Sequence, residues 1–326
     1  MRKPCIVLTG PTAVGKTKLS LALAHAVKGS VISADSMQVY RGMDIGSAKI
    51  LPEEMEGIPH YLVDVLEPEE EFHVARFQSM AREAMEEIYR QGRIPIITGG
   101  TGFYIQALLK NVDFSESSGA SPLREKLEKI AREEGEDRLY EMLMSKDPQA
   151  AQAIHPHNRK RVIRALEYCL ETGRLMSDHN RQQRQRSSPY CCGYFVLNDD
   201  REKLYAQIDR RVDEMMEKGL VEEVRRLAAR GLTEDCTSMK GLGYKELFPY
   251  LRGETDLAEA VRIIKRDTRH FAKRQLTWFR REPDVIWVNK QEFGYNDEKI
   301  LTYILSRWQK ILREEENHDS STVQHV

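Results

Sequence analysis

Gly10-Pro11-Thr12-Ala13-Val14-Gly15-Lys16-Thr17 fits Gly-x-x-x-x-Gly-Lys-[Ser/Thr] at every fixed position. The apolar run Cys5–Thr9 before it has strand character. In Lys18–Val27 after it, Leu19, Leu23 and Ala26 share one helical side. A strand, a glycine-rich turn and a helix start form a nest of backbone N–H groups with a helix dipole behind it, and such a nest holds phosphate oxygens. Gly10 and Gly15 let the backbone curl towards the anion around Thr12, Ala13 and Val14. Lys16 would neutralise a terminal phosphate, and the Thr17 hydroxyl would ligate Mg2+. The stretch therefore predicts an α/β fold and a di- or triphosphate ligand. It does not choose the reaction.

Outward from the loop, Val31-Ile32 reads as a buried parallel strand, which puts Asp35, Ser36, Met37 and Gln38 at its carboxyl end, the ligand edge of a doubly wound sheet. Asp35 belongs there to a polar cluster near the phosphate, or is a helix cap or a magnesium ligand. Residues 41–60 read as a loop, Tyr61–Val65 as a third strand and Phe72–Gln91 as an amphipathic helix. A fourth strand, Ile94–Thr98, runs into Gly99-Gly100-Thr101-Gly102, where backbone can approach a ligand; Thr101 is a hydroxyl donor or an N-cap. Tyr194–Leu197 and Asp284–Val288 return to strand character, with a helical stretch at 204–230 and the glycine loop Lys240–Lys245 between them.

Between these strand-bearing halves the composition changes. Asp113–Pro122 reads as a boundary, and Leu123 to about Arg186 shows helices and no strand. The expected division is a P-loop-like core at 1–114 and 190–313, an all-helical insertion at 115–189, and a flexible polar tail at 314–326.

At 326 residues, 40% hydrophobic and 31% charged, the chain reads as a soluble protein of one large domain or two smaller ones. No apolar run approaches the ~20 residues of a membrane span, and no signal peptide is visible. The five cysteines show no zinc spacing, so reduced thiols in the cytoplasm are expected. The net charge of −1 hides an asymmetry: eight Lys/Arg fall within 155–186 and eight within 262–281. On a helix of about 100° per residue, Arg262, Arg266, Arg269, Lys273 and Arg280 share a sector of about 60°. Only Asp267 is available to interleave them. Phosphates, from a nucleic acid or a diphosphate, explain such a stripe better than a solvated face does.

The motifs together resemble the tRNA dimethylallyltransferases, in their bacterial form. The resemblance rests on residues 10–17, Ser33–Tyr40, Gly99–Ile105, Lys160–Glu167, Gly243–Glu246 and Asp267–Arg280, in order along nearly the whole chain. It implies transfer of a dimethylallyl group from dimethylallyl diphosphate to N6 of the adenosine 3′ of the anticodon in tRNA. The phosphate loop would hold the diphosphate, with Mg2+ as cofactor, and the insertion would grip the anticodon stem-loop. Asp35, Thr101 and Lys16 are the expected catalytic residues. Expected to meet tRNA are Asp35, Ser36, Met37, Gln38, Thr101, Arg124, Lys160, Arg161, Arg164, Lys240, Tyr244, Lys245, Lys273, Arg274 and Arg280. A monomer in the cytoplasm is expected. The competing readings are a P-loop small-molecule kinase, a nucleotide-dependent RNA-binding protein, and an isopentenyltransferase acting on free adenine nucleotides.

Overall fold

The computed structural model describes residues 2–112 and 121–323. The chain divides into two units, Met1–Leu108 with Pro189–Val326, and Leu109–Ser188. In the first, the run Cys5–Thr9 is buried throughout, as a strand covered on both faces must be. It belongs to β1 (Lys3–Thr9). The other strands are β2 (Gly29–Ser33), β3 (His60–Tyr61), β4 (Ile94–Gly99), β5 (Tyr190–Asn198) and β6 (Ile286–Asn289). All pair in parallel, in the order β3-β2-β4-β1-β5-β6. The chain leaves β1 towards one edge, then after β4 crosses to the other. The carboxyl ends of β1, β2 and β4 are level, with Thr9 beside Gly99 and Ser33 beside Thr98. Their following loops therefore share one crevice, the usual ligand position in such sheets.

Helices cover the sheet: α1 (Lys16–Val27), α2 (Val74–Arg90), α3 (Gly102–Leu109) and, after the inserted unit, α9 (Arg201–Glu217), α10 (Leu220–Ala229), α11 (Phe248–Leu251), α12 (Leu257–Phe279) and α13 (Asp297–Val323). Ile6, Leu8, Leu23, Val31, Ile96 and Phe195 lie at the centre of one core, which Ile304 and Trp308 of α13 close.

Two strands are displaced from their expected spans. The third stops at Tyr61 because Leu62 and Asp64 take left-handed backbone, φ 62° and 55°, which a strand cannot carry. The last begins at Ile286 because Asp284 has φ 61°. The tail expected to be flexible from residue 314 instead continues α13 through Val323. Its Glu315 accepts hydrogen bonds from the Arg2 backbone at 3.1 Å and from the Arg2 guanidinium at 2.6 Å, which ties this helix to the start of β1.

The second unit holds α4 (Pro122–Glu133), α5 (Glu136–Lys146), α6 (Pro148–Ala153), α7 (Arg159–Thr172) and α8 (Met176–Gln185), with no strand among the described residues. Leu127, Leu139, Leu143, Val162, Ile163 and Leu166 form its own core. Asp147 is fully buried. Its carboxylate accepts from Ala150 N at 3.0 Å, capping α6, and from Ser177 N at 2.8 Å at the start of α8. Burial alone would raise its pKa, but these backbone donors outweigh it and leave the group lowered. Of the boundary segment Asp113–Pro122, residues 113–120, and with them the expected limit at 114–115, lie outside the described residues.

The five cysteines are unbridged. No helix among the described residues is long and apolar enough to cross a membrane.

Candidate functional site

A cavity of about 610 Å³ opens where the loops after β1, β2 and β4 meet. The first loop supplies Thr12–Thr17, the second Asp35–Gln38, the third Gly99–Thr101. Across from them stand Arg210 and Arg211 of α9, Lys240 and Lys245 of the glycine loop, Arg274 and Gln275 of α12, and Lys290 after β6.

The phosphate loop folds as its glycines require. Gly10 has φ 146°, and a Cβ there would overlap the Leu197 carbonyl oxygen. Gly15 has φ 96° and stands at the N-cap of α1, so the first N–H groups of that helix open into the cavity. Lys16 Nζ donates to the loop's own carbonyls, Gly10 O at 3.0 Å and Pro11 O at 2.8 Å. Burial lowers Lys16 to about 7; the nearby Arg211 adds to the effect and Asp35 opposes it. Arg211 is itself lowered by burial, with Asp35 and Glu214 opposing. Two cations thus share one desolvated recess, an arrangement that an anionic ligand relieves.

Asp35 uses one carboxylate oxygen to hold its own loop: Oδ1 accepts from Met37 N at 2.8 Å and Gln38 N at 3.4 Å. Oδ2 has no partner among the described residues and Asp35 lines the cavity. The Thr101 hydroxyl likewise makes no hydrogen bond among the described residues, so it is not spent on capping α3; the residue is held by its backbone, N–H to Ala34 O at 3.3 Å. Ser36 and Met37 line the same wall.

Several expectations are corrected. Tyr244 is fully buried: its hydroxyl donates to Glu223 at 2.8 Å, and its ring packs where a Cβ on Gly46 would sit. Glu223 also accepts from the N–H groups of Asp44, Ile45 and Gly46 at 2.9–3.1 Å. The pair therefore shapes the Gly46–Ala48 wall from inside, with the Tyr244 hydroxyl already engaged. Gln38 accepts from Ser33 Oγ at 2.9 Å and its Nε2 reaches the Ser47 and Ala48 carbonyls at 3.5 and 3.4 Å. Its amide is thus engaged inside the wall. Arg124 is committed within the second unit, to Glu167 at 3.1 Å and Glu128 at 3.6 Å.

The stripe on α12 is also less bare than its own sequence implies. Arg262 pairs with Glu259 at 2.6 Å, Arg266 with Asp267 at 2.7 Å, and Arg269 with Asp209 of α9 at 2.5 Å. The missing acids come partly from a neighbouring helix that helical-wheel arithmetic cannot see. Lys273, Arg274 and Arg280 are exposed and have no carboxylate partner among the described residues. The same holds for Lys160, Arg161 and Arg164 of α7. Lys245 pairs with Glu246 at 3.5 Å, while Lys240 faces the cavity.

Gln275, Arg211 and Lys290 were not foreseen. Gln275 is a neutral residue between the cations of α12, and Arg211 lies within a helix of mixed charge. Lys290 follows an edge strand, where no motif marks it.

For a metal ion, no group of three or more His, Cys, Asp or Glu gathers among the described residues. The Thr17 hydroxyl is exposed at the cavity without a protein partner. One hydroxyl beside an anion-binding loop suits Mg2+, which keeps most of its waters and takes phosphate oxygens with few protein ligands.

A family model described as IPP transferase matches residues 38–282. The chain is 57% identical to a tRNA dimethylallyltransferase of Lachnoclostridium phytofermentans, over 96% of this chain and 99% of that protein. Among solved structures, the full-length tRNA isopentenylpyrophosphate transferase of Bacillus halodurans superposes with a TM-score of 0.73 at 42% identity, covering 97% of this chain and all of that one. A eukaryotic dimethylallyltransferase, captured acting on tRNA, gives 0.77 at 32% identity over 88% of this chain and 74% of its own.

Proposed function

The chain belongs to the IPP transferase family and is a tRNA-modifying transferase; we propose that it moves a dimethylallyl group from dimethylallyl diphosphate to N6 of the adenosine 3′ of the anticodon. The observation that carries the reading is the meeting, in one cavity, of a phosphate loop and a carboxylate with a free oxygen, Asp35 Oδ2.

An adenine exocyclic amine is a weak nucleophile because its lone pair is delocalised into the ring. As N6 forms its bond to the first carbon of the dimethylallyl group, the carbon–oxygen bond to diphosphate breaks. Asp35 takes the proton that N6 sheds. Lys16, Arg211 and the N–H groups at the start of α1 stabilise the charge that collects on the departing diphosphate. The Thr101 hydroxyl donates to the bridging oxygen or orients the base. Thr17 would hold Mg2+, which supplies further charge neutralisation on the diphosphate when bound. Ser36, Met37 and Lys240 line the space for a base splayed from its loop. The exposed cations of α7 and the unpaired ones of α12 hold RNA phosphates. The protein works as a monomer in the cytoplasm.

The test is to incubate the protein with undermodified tRNA and labelled dimethylallyl diphosphate, and separately with labelled ATP. Label entering tRNA only from the first supports the reading; phosphate transfer from the second supports a kinase.

A further inference from the structure

Lys290 brings a second ammonium to the phosphate loop from a distant part of the chain. It stands directly after β6, and its Nζ donates to the Val14 carbonyl at 3.3 Å. The same nitrogen lies 3.5 Å from where a Cβ on Gly15 would sit. No carboxylate pairs with it among the described residues, although its neighbour Asn289 donates to Glu292 of the following turn at 2.7 Å. A lone 3.3 Å contact to one carbonyl leaves most of the donor capacity of an ammonium unused. Lys16 occupies the other end of the same loop, on the carbonyls of Gly10 and Pro11. The loop therefore carries one lysine at each end, with both side chains lining the same cavity.

We infer that Lys290 is a second phosphate-binding lysine, which holds the diphosphate from the side opposite Lys16. The inference rests on the diphosphate reading of the loop. A diphosphate has two phosphoryl groups to neutralise, and a single lysine at one end of the loop reaches them unequally. A cation supplied by a separate strand also joins β6 to the ligand, so the edge of the sheet becomes part of the donor site. A purely structural lysine would instead prop the Val14 carbonyl, and its removal would register in the ligand-free protein.

The test uses the full chain and inorganic pyrophosphate with Mg2+, titrated by calorimetry into wild type, Lys290→Gln, Lys290→Met and Lys290→Arg. Removing one charge-assisted contact should weaken pyrophosphate binding by about 10- to 100-fold in both neutral variants. The Michaelis constant for dimethylallyl diphosphate should rise by a similar factor. Ligand-free melting and anticodon stem-loop affinity should stay as in wild type, and Lys290→Arg should recover most of the loss. Two neutral variants keep a folding failure in one from deciding the result. Wild-type pyrophosphate affinity in a folded neutral variant overturns the role of Lys290. Failure of wild type itself to bind pyrophosphate overturns the diphosphate reading beneath it.

Discussion

Gln275 accepts the backbone N–H of Thr12 through Oε1 at 2.9 Å, and its Nε2 donates to the Gly100 carbonyl at 3.0 Å. One side chain of α12 thereby straps the phosphate loop to the glycine loop after β4. It also explains Gly100, where a Cβ would overlap the Gln275 amide nitrogen. Gln275→Leu keeps the packing volume but leaves both backbone groups unpaired. The orphaned Gly100 carbonyl is buried and costs about 1–3 kcal/mol, so the melting temperature should fall, and with the Thr12 N–H released the Michaelis constant for the diphosphate substrate should rise. A variant that melts with wild type and keeps its Michaelis constant shows that the strap contributes nothing.

Lys16 gives a pH-dependent signature. Burial, with Arg211, sets its pKa near 7 in the ligand-free protein. An unfolded chain returns it to the ordinary lysine range. The unfolded state thus binds more protons above pH 7, and stability from this group rises with pH across that window. Anion binding works in the opposite sense, because it draws the proton back. Titrating pyrophosphate in two buffers of different ionisation enthalpy should show proton uptake at about pH 8 that fades towards pH 6. Lys16→Arg, charged throughout, should show less uptake at pH 8. Lys16→Ala should abolish transfer and leave stem-loop affinity intact. Equal uptake in wild type and Lys16→Arg would assign the proton to the ligand alone.

The sheet and its ligand edge were legible because they follow from local pattern. The run Cys5–Leu8 is apolar, the loop after the strand is a fixed motif, and Gly99–Thr101 closes another strand. What stayed hidden depends on partners distant in sequence. Tyr244 reads as an aromatic in a basic glycine loop, and only the fold brings it against Glu223. Arg269 reads as part of a bare stripe until α9 places Asp209 beside it. Arg211 and Lys290 become site residues only once α9 and the end of β6 close over the loop. Leu62 and Asp64 look like strand residues, and their left-handed backbone leaves no local mark in composition.

Asp35→Asn separates chemistry from structure. The Asn side-chain oxygen can still accept from Met37 N and Gln38 N, so the turn after β2 should persist. The second oxygen becomes an amide that cannot take a proton. Turnover should fall by about 10²–10⁴-fold, with the melting temperature and the Michaelis constant for dimethylallyl diphosphate little changed. Near-normal turnover in single-turnover assays would leave Asp35 as a loop anchor only.

The basic residues sort into two classes with different expected salt behaviour. Lys160 and Arg164 of α7, and Lys273 and Arg280 of α12 and its cap, are exposed without carboxylate partners among the described residues. Arg262, Arg266 and Arg269 are each held by an acid of the protein. An unpaired cation that meets a phosphate releases counterions, so losing one should lower the log–log salt slope by roughly 1. A cation already neutralised must first surrender its carboxylate and gains less from RNA. Alanine at Lys160, Arg164, Lys273 or Arg280 should therefore weaken anticodon stem-loop binding and flatten its salt dependence. Alanine at Arg262 or Arg266 should change both far less. None of these exposed substitutions should shift melting much, since surface pairs contribute about 0–1 kcal/mol. A scrambled stem-loop of equal length should lose affinity in the same proportion, because phosphate contacts carry no sequence information. Equal slopes for the two classes would mean that the ion pairs on α12 open on binding. Unchanged slopes in all six variants would remove both helices from the RNA surface.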